Sequence, residues 1–123
     1  MRQVAAVGVA LSLLILAVGC GTPLDKAEDV YSVEESTARK SYVIVGTAFA
    51  KGKATEAQLA EARRLYDAYF RAQTEVYTEL TAARAEGDTT LSATGRREKV
   101  TRHMAEVSRC AFLLAKLAKE VRK

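Results

Sequence analysis

Three segments of the chain repeat apolar residues at alternating intervals of three and four, the spacing of one helix face. At 55–86 the repeat runs Leu59, Ala62, Tyr66, Tyr69, Gln73, Val76, Leu80 and Ala83, widened by Leu65, Phe70 and Tyr77. At 96–122 it runs Val100, Met104, Val107, Ala111, Leu114, Ala118 and Val121. At 23–51 it is less regular, with Val30, Val33, Thr37, Ser41, Ile44 and Ala48, and with Tyr42, Val45 and Phe49 beside them. The pattern predicts three long amphipathic helices.

Capping signals support these boundaries. Thr22 and Asp25 flank Pro23 in the spacing of a capping box, and Thr55 with Gln58 repeats that spacing before the second helix. Gly52 and Gly87 stand where the first two helices are expected to end.

Short links join these segments, and short links between long helices favour antiparallel neighbours. We therefore predict an all-α fold, an antiparallel up-down-up three-helix bundle. The alternative is a long helical hairpin whose core a partner chain completes. In the bundle, Tyr66, Tyr69 and Phe70 belong to the core; in the hairpin they form its interface, and Gln73 helps to set the register.

The first 20 residues have a different character. Arg2 precedes an uncharged stretch from Val4 to Gly19, as in an export signal. The stretch ends in Leu16-Ala17-Val18-Gly19-Cys20. This ending resembles the lipobox of bacterial lipoproteins, although that motif usually has Leu where Ala17 stands. The resemblance covers the leader only.

The resemblance implies that residues 1–19 are a signal peptide and that Cys20 receives a diacylglyceryl group. Residues 20–123 would then form a lipid-anchored domain, since two or three acyl chains hold a protein stably on a bilayer. Gly21, in place of the Asp that resembles an inner-membrane retention signal, implies the outer membrane facing the periplasm in a Gram-negative host. The alternative is an uncleaved membrane helix at 4–20, at the short end of the length required.

Charge is unevenly distributed along the mature chain. The stretch from Arg96 to Lys123 carries nine cations against three carboxylates. Arg96, Arg97, Lys99 and Arg102 lie in the first turns of the third helix, where the helix dipole favours anions. We expect these four residues to contact phosphate headgroups near the bilayer; the alternative is a solvated face paired with the second helix. Lys116, Lys119, Arg122 and Lys123 suit a helix C-terminus.

The sequence offers little for catalysis. His103 is the only histidine, and Cys110 lies seven residues further along the same helix, about 10 Å away along its axis. With Cys20 lipidated, Cys110 has no partner within the chain for a disulfide, and we expect it to be an apolar packing residue. No metal-ligand spacing or cofactor motif is present, and export argues against nucleic-acid binding.

We therefore expect a non-enzymatic, lipid-anchored protein of the bacterial cell envelope. Its membrane contact is the N-terminal lipid, and its role is structural or protein-binding, with an envelope protein or a second copy as partner. Two alternatives remain open. One is a phage or mobile-element lipoprotein that acts in receptor blocking or lysis, and the other is a protein that binds anionic headgroups through its third helix.

Overall fold

The computed structural model describes residues 21–123, which form three α-helices. They are α1 (Pro23–Ala50), α2 (Glu56–Glu86) and α3 (Arg96–Val121). Each boundary lies within one residue of the predicted one. None of these three helices combines the length and the apolar character that a membrane crossing requires.

The predicted caps explain where the helices begin and end. The Thr22 side chain accepts the Asp25 N–H at 3.1 Å, and the Asp25 carboxylate accepts the Thr22 N–H at 3.4 Å. Thr55 and Gln58 form the equivalent box on α2, with bonds of 2.9 and 3.0 Å. Gly87 ends α2 in the left-handed conformation, with φ +70°.

Each helix packs against the other two, so one chain completes its own core. Arg84, near the end of α2, pairs with Asp25 and Glu28 near the start of α1, which makes these two helices antiparallel. Arg96, at the start of α3, pairs with Glu86 at the end of α2. The order is therefore up-down-up. The bundle prediction is confirmed, and the hairpin alternative does not describe this fold.

The predicted repeat of α3 is confirmed, because all seven of its positions are buried. Beside them, Cys110 and Leu117 are buried and Leu113 is partly buried. Met104, Val107 and Leu114 have no exposed surface, so this helix supplies the centre of the core. Burying each such side chain stabilises the fold by about 1.5–3 kcal/mol.

The predicted face of α1 is confirmed only in part. Ser41, Val45 and Ala48 are buried as predicted, whereas Val33 is 62% exposed and the buried Ala38 was not predicted. The true repeat begins at Leu24 and is shifted from the predicted one over its first half. It includes Glu34, which is half-buried and whose pKa is raised by that burial. A carboxylate inside the repeat made the sequence favour the wrong register.

Two aromatic residues of α2 were also misplaced. Phe70 and Tyr77 are each 58% exposed, so neither belongs to the core. Tyr69 is buried as predicted, and Tyr66 stacks between it and Tyr42 of α1 with ring centroids 5.5 and 4.5 Å apart. Aromatic residues on a helix face reach the core only where a neighbouring helix covers them.

Candidate functional site

One end of the bundle contains the residues that follow Cys20, and we call it the tethered end because the predicted lipid on Cys20 would attach there. It consists of the start of α1, the loop 87–95 and the start of α3. The Leu24 N–H donates to the Thr89 carbonyl at 3.0 Å, and both Leu24 and Leu91 are buried. The loop therefore lies against the start of α1, as the topology predicted. Cys20 lies outside the described residues.

Arg96 is engaged inside this end of the molecule. Its guanidinium pairs with Glu86 at 2.7 Å, Asp88 at 2.8 Å and Glu79 at 3.2 Å. Only 8% of its side chain is exposed. The planar, five-donor guanidinium suits such convergent pairing, and the three carboxylates hold its pKa above the usual range.

Asp88 links the Arg96 pairs to the loop. Its carboxylate accepts the Ala93 N–H at 3.0 Å and the Ser92 N–H at 2.8 Å, as well as the Ser92 hydroxyl. These bonds, with the added attraction of Arg96, hold the pKa of Asp88 well below its usual range. One carboxylate thus fixes the turn that leads into α3.

The other predicted cations have weaker internal partners. Arg97 donates to the Thr90 carbonyl, and Lys99 pairs with Glu79 at 3.3 Å. Among the described residues, Arg102 has no ion pair and is exposed. Arg96, Lys99 and Arg102 line a cleft of about 310 Å³ together with Glu79 and Gly95. The structure therefore places three of the four predicted residues on one cleft, and Arg97 lies outside its lining.

The four predicted cations differ in how available they are to an external phosphate. An anion at Arg96 would have to displace three carboxylates that the protein already supplies, and a buried pair resists loss of its partners. Arg97 and Arg102 are exposed, so these two cations are accessible to a phosphate. Gly95, the N-cap of α3, has no side chain, so no side-chain cap bonds the first turn of this helix.

Cys110 and His103 do not form a pair. Cys110 has no exposed surface, and burial raises the pKa of its thiol to about 11. Its nearest polar group is the Glu106 carboxylate at 3.6 Å. His103 instead lines an open groove of about 570 Å³ between α2 and α3, beside Phe70. Cys110 is thus the packing residue that the sequence predicted.

Sequence reasoning missed a second cleft, at the opposite end of the bundle. It lies between the last turns of α1 and α3 and holds about 320 Å³. The signal was visible in Lys51-Gly52-Lys53 and in Arg122-Lys123, but cations at helix ends have an ordinary explanation in the helix dipole. Only the packing shows that the two basic ends flank one apolar gap.

The chain stands apart from the proteins compared with it. No protein-family model matches it, and neither curated proteins nor solved structures include a significant match. Among residues 21–123, no group of three or more His, Cys, Asp or Glu side chains is arranged to hold a metal ion. The function is therefore inferred from the chain itself.

Proposed function

We propose that this protein is a lipid-anchored, non-enzymatic component of the bacterial cell envelope, whose helical bundle binds another envelope component. The lipobox-like segment ending at Cys20 supplies the anchor. The bundle supplies a rigid body whose orientation the anchor fixes.

The observation that carries this proposal is the shortness of the tether. Gly21 alone separates Cys20 from Thr22, the N-cap of α1. Leu24 is already fully buried and hydrogen-bonded to the loop 87–95. A lipid on Cys20 would therefore hold the tethered end at the bilayer, with no flexible linker to let the bundle turn over. Such an arrangement suits a protein that presents a binding surface at a fixed distance from the membrane.

The proposal is tested by the intact mass of the protein purified from membranes, with and without an inhibitor of signal peptidase II. We expect the mass of acylated Cys20–Lys123, and accumulation of the uncleaved, diacylglyceryl-modified chain when the peptidase is inhibited. A leaderless Cys20→Ser variant, which comprises residues 20–123, should be absent from the membrane fraction and keep its fold. An unmodified full-length mass in both samples would refute the anchor and indicate a membrane helix at 4–20.

A second candidate function is contact with anionic headgroups at the tethered end. It is favoured by the exposure of Arg97 and Arg102 beside the loop that packs on the start of α1. Polybasic segments at a bilayer gain about 1 kcal/mol per cation from anionic lipids. Two cations would add modestly to an acyl anchor.

This candidate is tested with the leaderless Cys20→Ser protein, residues 20–123, and vesicles that contain phosphatidylglycerol. We expect Arg97→Glu/Arg102→Glu to weaken sedimentation with these vesicles. The matched control is Lys119→Glu/Lys123→Glu, at the opposite end of α3. Equal loss in both variants would show that only net charge matters, and would refute a specific surface. Arg96 is left intact because its substitution would disturb the loop.

A further inference from the structure

We infer that the cleft between the last turns of α1 and α3, which we call the distal cleft, is a docking site for an acidic, amphipathic peptide segment of a partner protein. The inference deepens the proposed function, on which it rests, by naming the surface and the chemistry of the partner.

The floor of the distal cleft is apolar and partly uncovered. It is formed by Val43, Ile44 and Ala48 of α1 and by Val121 of α3. Val43 is 60% exposed, although Ala48 and Val121 beside it are buried. A volume of about 320 Å³ lies at the lower end of the range for ligand sites, enough to seat one large apolar side chain.

The rim of the cleft is cationic and uncompensated. Lys51, Lys53 and Arg122 line it, and all three are exposed. Among the described residues, the ion pairs involve Arg39, Arg64, Arg84, Arg96, Lys99 and Arg109, and none involves a cation of this rim. Glu56 and Glu120 belong to the same end but do not pair with the rim. Its positive charge is therefore open to carboxylates from outside.

The contrast with the tethered end strengthens this reading. There Arg84 and Arg96 are satisfied by the protein's own carboxylates. At the distal end, the lysines and the arginine that surround the apolar gap form no ion pair with a carboxylate among the described residues. An apolar pocket with a charged rim is the usual anatomy of a protein-binding hot spot, in which a seated side chain gives affinity and the rim gives orientation.

Position favours a peptide over the lipid of the anchoring membrane. α1 has 28 residues, so its two ends lie about 40 Å apart. With the tethered end at the bilayer, the distal cleft stands well beyond the Debye length of about 8 Å from those headgroups. The charge of the anchoring surface is screened at that height, whereas an acidic segment of a neighbouring protein can reach the cleft.

The test measures binding of a labelled synthetic helix, with leucines on one face and glutamates on the other, to the protein as purified from membranes in non-ionic detergent. Fluorescence anisotropy is read at low and high salt, and a second peptide with glutamines in place of glutamates serves as reference. Mixed micelles of the detergent with phosphatidylglycerol are tested as competitors. No bilayer is present in detergent, so peptide binding does not require membrane anchoring. The result is therefore independent of the mass measurement that tests the anchor.

Two variants address the two halves of the site. Lys51→Gln/Lys53→Gln removes rim charge, and Val43→Gln makes the floor polar at an exposed position where the fold should tolerate it. The matched control is Lys26→Gln/Lys40→Gln, which removes the same charge from α1 outside the cleft. We expect about a tenfold loss of affinity for the rim variant, since each exposed ion pair contributes about a factor of three. The floor variant should also bind more weakly, and the control should bind as the wild type does.

The inference is overturned by any of three results: no binding of the acidic helix, equal binding of the glutamine peptide, or equal loss in the control. Displacement of the peptide by phosphatidylglycerol micelles through the same lysines would overturn it as well, because the ligand would then be a lipid. If the peptide binds as expected but Cys20 carries no lipid, the cleft stands and the anchored role fails.

Discussion

Leu91 offers the sharpest test of the packing at the tethered end. Among the described residues, it is the one non-glycine residue with a positive φ, which is +56°. Its side chain is buried, with only 1% exposed. A left-handed leucine costs about 1–2 kcal/mol relative to an ordinary conformation. The loop tolerates this cost because the side chain enters the core that Leu24 also joins.

Substitutions of Leu91 separate the stabilisation from its buried side chain from the cost of its left-handed backbone. Leu91→Ala removes the buried side chain and keeps the strained backbone, so we expect it to lose about 2–5 kcal/mol of unfolding free energy. Leu91→Gly loses the same packing but relieves about 1–2 kcal/mol of strain. Glycine pays about 0.5–1 kcal/mol more in chain entropy. The glycine variant should therefore be as stable as the alanine variant or more stable by up to about 1.5 kcal/mol.

The assay is urea unfolding of the leaderless Cys20→Ser protein, followed by far-UV circular dichroism. Leu114 of α3 is the matched control, because it is fully buried in ordinary helical conformation. There the glycine variant should be less stable than the alanine variant by about 1 kcal/mol. If glycine is worse than alanine by the same margin at both positions, Leu91 bears no backbone strain and the reasoning is wrong.

Three further predictions concern single side chains. Asp88→Asn should lower the urea midpoint at pH 7. Because the pKa of Asp88 is lowered in the folded state, the stabilisation that its carboxylate gives is complete above the unfolded pKa of about 4 and is lost as the pH falls further. The urea midpoints of the wild type and the variant should therefore converge in acid. Cys110 should react with a thiol reagent only on unfolding, since its thiol is buried with a pKa of about 11, and rapid labelling of the native protein at pH 8 would contradict this. Thr22→Ala should cost about 1 kcal/mol through loss of the cap on α1, and an unchanged urea midpoint would show that the capping box contributes nothing.

The sequence predicted the helices well because their signals are local. A capping box needs only the four residues from Thr22 to Asp25, and an αL cap needs only Gly87, so both can be found without knowing the fold. The face of α3 was equally clear, since its repeat contains no polar interruption. In α1 the half-buried Glu34 and the small Ala38 hid the true register, because burial there depends on what the other helices cover.

The candidate site was harder to predict, for a physical reason. Nothing near Arg96 in the sequence reveals that Glu79, from two turns before the end of α2, reaches its guanidinium. The distal cleft is similar: Val43 and Val121 are 78 residues apart and meet only through the parallel packing of α1 and α3. Pairing and apolar gaps between helices are properties of the fold, whereas charge counts are properties of a segment.

The continuity of α1 has a mechanical consequence. This one helix begins three residues after Cys20 and ends in the wall of the distal cleft. With a lipid on Cys20 and a partner in the cleft, tension between membrane and partner would run along the axis of α1. The helix would be loaded in shear against α2 and α3, so many core contacts would resist the pull at once. A load that instead peeled α1 away would break those contacts one after another.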